Sequence, residues 1–217
     1  MFDIQSARIN TAGAYVSING LYVFAIGAHL YHNQIPIIRL GGHREDNETG
    51  WQCAAREVFE ESSLKIKPLL AKVTYLYDWE VLENEPQKIE WQREDEQEPI
   101  PCLVVMYRHY ETTTLSLMYL AYADGIPVPS SEVKGLLLLQ EKEIYRLCKE
   151  PTTLQQYLGC GGKAIIKDDF DTSLFLEPFA QLRLLSRLLS TRALTTNHFP
   201  LTNQTTTRLS NYETTKL

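Results

Sequence analysis

Between residues 14 and 30 the chain is dominated by large apolar and β-branched side chains, Tyr15, Val16, Ile18, Leu21, Tyr22, Val23, Phe24 and Ile26, broken by Asn19-Gly20. Asn-Gly tolerates a positive φ at both central positions of a two-residue turn, so the segment predicts two strands joined as a hairpin. Residues 35–40 read as a further short strand that runs into Gly41-Gly42. Over residues 49–62 the apolar spacing lengthens from two to 3.6, which marks a helix. Residues 71–77 read as a strand, the polar stretch 83–98 as a long connection, and residues 100–110 and 112–123 as a second hairpin. Asp124-Gly125, followed by Pro127 and Pro129, ends that unit. A short buried strand over 135–140 leads into helical patches at 141–149 and 152–158. Pro178 fits the first turn of a last helix, in which Phe179, Leu182, Leu185, Leu188 and Leu189 make an apolar stripe. Such a stripe is first of all core packing, with a homodimer contact as the sharper alternative. After Leu194 the composition turns to Thr, Asn and Gln, which predicts a disordered tail over 194–217. Strands interleaved with a few helices, without internal repeats, predict one α+β domain over residues 1–193 built on a mixed β-sheet.

Composition narrows the functions open to such a domain. With 217 residues, 44% of them hydrophobic, the chain is long enough to bury a sizeable core. Its formal charge of -6 gives no general attraction for nucleic acid or for an anionic membrane surface. A polyanionic substrate therefore needs local help, from a metal or a few aimed cations. Cys53, Cys102, Cys148 and Cys160 are far apart, and the first residues lack the basic and apolar regions of a signal peptide. Unpaired thiols in a reducing cytoplasm are the expectation, with the cysteines acting as buried small hydrophobes.

The chemistry concentrates in residues 42–64. Thr49 followed by Gln52 is a capping box that starts the helix. At about 100° per residue, Trp51, Ala54, Ala55, Val58 and Ser62 share one face, while Glu57, Glu60 and Glu61 cluster on another. Like charges so placed repel by a few tenths of a kcal/mol per pair, roughly, and Arg56 offsets only part of that. A solvated glutamate face is the bland reading. A bound hard cation is the other: magnesium or manganese takes oxygen ligands, bridges phosphate oxygens and lowers the pKa of a bound water.

The wider spacing decides between them. Gly42, Glu48, Arg56, Glu57, Val58, Glu60, Glu61 and Leu64 fall on the pattern Gly, five residues, Glu, seven residues, Arg-Glu, apolar, any, Glu-Glu, any, Gly, apolar. By chance that match arises in fewer than about one window in a million at ordinary residue frequencies. The segment resembles the Nudix box, with Ser63 in place of the last Gly and Leu40 where a Pro is expected before the paired glycines. The resemblance implies a Nudix-like α/β/α sandwich and a Nudix hydrolase requiring Mg2+ or Mn2+. It implies Glu57, Glu60 and Glu61 as metal ligands together with the Gly41 carbonyl, Arg56 as the residue orienting a box glutamate, and Glu48 as a supporting carboxylate.

Outside the box the sequence offers candidates of lower specificity. Arg39, Arg44 and Lys134 are the nearest cations for a substrate, and Arg93-Glu94-Asp95-Glu96-Gln97-Glu98 or Glu132 could supply a general base. Tyr75, Tyr77 and Trp79 alternate, so one could stack on a base, although sheet packing explains them as well. His29, His32, His43 and His109 show no metal-ligand spacing. The reading that results is hydrolysis of a nucleoside diphosphate linked to a moiety X, giving a nucleoside monophosphate and phosphorylated X. A Nudix-like sensor that binds a nucleotide metabolite without turnover is the alternative, and an RNA-end processor is disfavoured by the lack of a basic stripe.

Overall fold

The computed structural model describes residues 4, 6–27, 30–81, 85–93, 99–110, 112–130, 133–167, 171–194 and 215–216. The 14–30 pattern folds as expected: β1 (Arg8–Ile18) and β2 (Leu21–Ile26) pair antiparallel, with Asn19 at φ 50° and Gly20 at φ 79° turning the corner. The 35–40 strand divides into β3 (Ile35–Ile38) and β4 (Leu40–His43), because β3 pairs with β2 while β4 crosses to β1 in the register Gly13↔Gly41. Helix α1 (Gly50–Ser62) follows, and then β5 (Ile66–Leu69), β6 (Thr74–Asp78) and β7 (Gln87–Ile89). The second hairpin is β8 (Leu103–His109) and β9 (Thr112–Ala123), antiparallel. The chain continues through β10 (Gly135–Leu139), α2 (Glu141–Lys149), β11 (Thr152–Thr153), α3 (Leu154–Gly159), β12 (Lys163–Ile166), β13 (Phe175–Pro178), α4 (Ala180–Ser190) and β14 (Thr215–Lys216).

The strands form one mixed sheet whose longest path runs β11-β13-β3-β2-β1-β9-β8-β6-β7. Its centre is the parallel pair β1 and β9, and β6 with β8 and β3 with β13 are also parallel. Alternation sends side chains to two faces. Ala12, Ala14, Val16 and Ile18 of β1 pack with Cys53, Ala54 and Val58 of α1. Tyr15 points the other way, into a cluster with Ile144 and Leu147 of α2, Leu154 and Tyr157 of α3, and Leu182, Leu185, Leu188 and Leu189 of α4. The result is an α+β domain in which the sheet lies between α1 and the other helices. The apolar stripe of the last helix is buried in the chain's own core, as core packing predicts. Among the described residues no helix is long and apolar enough to cross a membrane.

Several expectations are revised. Pro178 ends β13 instead of opening the last helix; Phe179 is the N-cap, and its amide donates to the Ile37 carbonyl at 3.1 Å. The polar connection after residue 83 contains β7, which forms the sheet's edge against β6. Cys160 is exposed, although all four cysteines are free as expected. The predicted disorder after residue 194 falls outside the described residues, except that Thr215 and Lys216 pair in parallel with Ile165 and Ile166.

Candidate active site

Helix α1 begins as the capping box requires. The Thr49 side chain accepts from the Gln52 amide at 3.2 Å, and the Gln52 side chain accepts from the Thr49 amide at 2.8 Å. It ends at Ser63, whose φ of 58° and ψ of 14° are left-handed and whose amide donates to the Phe59 carbonyl at 2.8 Å. Serine thus adopts the conformation a glycine would hold more easily. Cys53, Ala54 and Val58 press the helix onto the sheet, and Glu57 and Glu61, on the same side of the helix, face the paired glycines of β4.

There the carboxylates meet the paired glycines of β4. The Gly41 amide donates to Glu61 Oε2 at 2.7 Å. Gly42 has the Glu57 carboxylate against its Cα; a Cβ at that position would collide with all three carboxylate atoms. Gly41 has φ 144°, and a Cβ there would strike the Ala12 carbonyl and the Arg39 guanidinium. Glycine is therefore required at Gly41 by backbone contact and conformation, while at Gly42 it lets the Glu57 carboxylate approach. Glu57 and Glu61, from successive turns of the helix, are brought to adjacent residues of β4.

Arg56 is the centre of the ion-pair network. Its Nε and Nη2 grip Glu48 Oε1 and Oε2 at 2.7 and 3.1 Å, a bidentate pair, while Nη1 reaches Glu57 Oε1 at 2.9 Å and Glu60 Oε2 at 3.1 Å. Nη2 also donates to the His43 carbonyl at 3.0 Å. Glu48 accepts a further hydrogen bond from the Glu45 amide at 3.1 Å. The Arg56 hydrogen bond holds the Glu48 carboxyl below its ordinary value, and Glu48 in turn raises the arginine. Arg44 is turned onto the Glu48 carbonyl, so it braces the loop.

Glu60 shares Arg56 Nη1 with Glu57, whereas the contacts with the paired glycines are made by Glu57 and Glu61. Its side chain is 55% exposed and its contact is with Arg56. Among the described residues no three His, Cys, Asp or Glu side chains form a metal-binding cluster. The physical reason is visible: Arg56 neutralises Glu57 and Glu60 together, drawing both toward itself. Glu57 and Glu61 remain as a pair of oxygen donors beside Gly41.

Arg39 approaches the same glycines from the other face of the sheet. Gly13 has no side chain, and the Arg39 guanidinium occupies the space above it and beside Gly41. Burial lowers the Arg39 pKa, and the charge of Glu61 works in the opposite direction. Glu94 to Glu98 and Glu132, the candidate general bases, lie outside the described residues. Arg93, at the head of that acidic run, is buried and donates to the Ala7 carbonyl at 2.6 Å. Cys53 places its thiol 3.8 Å from the Gly42 carbonyl, and burial pushes it up to about 11. What the sequence did not disclose is that Arg39 is the partner of Gly13, because that contact joins β1 to the link between β3 and β4.

No protein-family model and no curated protein matches the chain. Solved structures with a similar fold include a NUDIX hydrolase from Nitrosomonas europaea, at 14% identity and a TM-score of 0.40, covering 64% of this chain and 60% of that one. The match thus spans less than two thirds of that protein's own length. A NUDIX-family hydrolase from Clostridium perfringens is similar at 14% identity and a TM-score of 0.43, covering 62% of this chain and 82% of that one. A nudix hydrolase family member from Chromobacterium violaceum is similar at 16% identity and a TM-score of 0.38, over 95% of this chain and 86% of that one.

Proposed function

We propose that the chain is a Nudix-type pyrophosphohydrolase, dependent on a divalent cation, that cleaves a phosphoanhydride bond in a nucleoside diphosphate linked to another moiety X. Its products are a nucleoside monophosphate and phosphorylated X. The single observation that carries this reading is the meeting of Glu57 and Glu61 at Gly41-Gly42 of β4, with the Gly41 amide on Glu61 and the Glu57 carboxylate packed on Gly42. A structural role alone asks for no such pair of acids. Residues 1–193 form the catalytic unit in this reading, and four free thiols suit a reducing cytoplasm.

The donor set is chemically suited to magnesium or manganese, since it consists of hard carboxylate and carbonyl oxygens. Glu57, Glu61 and the Gly41 carbonyl would hold the ion, with Glu60 at the rim. When bound, the cation neutralises phosphate oxygens and acidifies water. The chain's own residues orient everything else. Glu48 fixes the plane of Arg56, and Arg56 fixes Glu57, so the carboxylate is aimed before substrate arrives. The Gly41 amide holds Glu61 in the same way. Arg39, whose guanidinium lies beside Gly41, is the cation placed for the substrate's remaining negative charge.

One observation favours a second reading, a nucleotide-binding module without turnover: Arg56 already neutralises two of the three helix carboxylates. The two readings separate on a panel of ADP-ribose, nucleotide sugars, dinucleoside polyphosphates, NADH and oxidised nucleoside triphosphates, given with Mg2+ or Mn2+. Phosphate is scored after a phosphatase is added. Hydrolysis requires turnover of at least one compound, lost in Glu61→Gln at an unchanged melting temperature, because the amide oxygen of Gln still accepts from Gly41. Tight binding without turnover, or a Glu61→Gln variant as active as the parent, would overturn it.

A further inference from the structure

Strand alternation places Tyr75, Tyr77 and Trp79 on the face of the sheet that α4 covers, and Tyr75 and Tyr77 pack against that core. The parallel register Tyr77↔Val105 and Asp78↔Met106 then brings Trp79 beside Tyr107 of β8, and the Trp79 amide donates to the Met106 carbonyl at 2.9 Å. The ring centroids of Trp79 and Tyr107 are 5.7 Å apart, inclined by 39°, and those of Trp79 and Tyr77 are 6.1 Å apart at 71°. Trp79 is thus braced on two sides, yet it is 45% exposed. Trp51 and Trp91 are partly buried and pack against the α1-side core. An indole fixed by two rings and still open to solvent is pre-organised for an aromatic ligand.

The braced ring is joined to the carboxylate site by two side chains. Burial raises the Tyr107 phenol, while the charge of Arg39 and the Gln181 side chain at the start of α4 act in the opposite direction. Arg39 lies over Gly13 and Gly41 and interacts electrostatically with Glu61. Its one hydrogen bond among the described residues is a long one, 3.4 Å to the Ala12 carbonyl. A guanidinium carries five donors in a planar fork that matches phosphate oxygens. Carboxylates, guanidinium, phenol and exposed indole therefore follow one another in space, in the order of cation site, diphosphate and aromatic ring.

We propose that Trp79, braced by Tyr77 and Tyr107, is the platform on which the substrate's aromatic base stacks, and that Arg39 takes diphosphate oxygens between that platform and the carboxylates. The proposal rests on the pyrophosphohydrolase reading and deepens it: the preferred substrate carries an aromatic ring, and diphosphates of sugars or polyols without one are poor substrates. Because stacking tolerates any base, discrimination among bases is weak.

Calorimetric titration with AMP, GMP, CMP and UMP in Mg2+ tests the platform without requiring turnover. Trp79→Ala should weaken all four by about 10-fold or more, and Trp79→Phe should recover most of the loss. In steady-state assays Trp79→Ala should raise KM for the nucleotide substrate while KM for 5-phosphoribosyl 1-diphosphate, which has no aromatic ring, stays unchanged. A Trp79→Ala variant that binds the monophosphates as the parent does overturns the proposal, as does a parent that cleaves the ring-free diphosphate as well as the nucleotide. Failure of every compound to turn over, with Trp79-dependent binding of the monophosphates intact, counts against hydrolysis and for the platform.

Discussion

Ser63 holds the end of α1 in a left-handed turn, φ 58°, while exposed to solvent. A side chain with a Cβ pays about 1–2 kcal/mol for that conformation, part of which glycine returns through its larger entropy when unfolded. Ser63→Gly should therefore raise stability by roughly 0.5–1 kcal/mol in denaturant unfolding, without altering the carboxylates. Glu48 gives a prediction in pH. Its carboxyl is held below the ordinary range by Arg56, so the folded state binds fewer protons than the unfolded chain in that window. The stability it contributes is fully present above the unfolded value of about 4.3 and is lost as pH falls through the lowered folded value. Melting temperatures of the parent and Glu48→Gln should differ most above that range and converge in acid; a constant difference across pH would contradict the ion-pair account. These residues were legible in the sequence because the box is a fixed spacing along one loop and one helix. Arg39 was legible only as a nearby cation. Its seat above Gly13 depends on a glycine 26 positions earlier, which no local pattern reports.

At the scale of elements, α1 is specified by its own ends. Thr49 and Gln52 exchange hydrogen bonds, and Cys53, Ala54 and Val58 fall on the buried side. Thr49→Ala removes an acceptor for the first turn and should cost about 1 kcal/mol, read as a shift of the denaturation midpoint. An equal midpoint would show that packing alone sets the start of the helix. The two hairpins were legible for the same reason: Asn19-Gly20 and the short link between residues 110 and 112 impose antiparallel pairing on neighbouring strands. Strands whose partners are remote were not legible. β12 is four residues long and pairs with β10, and β13 pairs with β3 from the far end of the chain. Nothing within four residues marks such a strand, and Pro178 imitated a helix start because its preset φ suits either element.

Across the whole molecule, the sheet brings together groups that its two faces supply separately. Helix α1, on one face, presents Glu57 and Glu61 at Gly41-Gly42 of β4, while Arg39 reaches those glycines from the face covered by α4. A net charge of -6 leaves little long-range attraction for a phosphate, so affinity must come from this local arrangement. The central claim is that the two carboxylates at the paired glycines of β4 hold a divalent cation. Calorimetric titration of Mn2+ into the parent, Glu57→Gln and Glu61→Gln tests it most directly, with melting temperatures taken to confirm that the variants fold. The account predicts a site in the parent that either substitution weakens by about 100-fold or more, beyond the effect usual for a supporting residue. Equal Mn2+ affinity in all three proteins would contradict it.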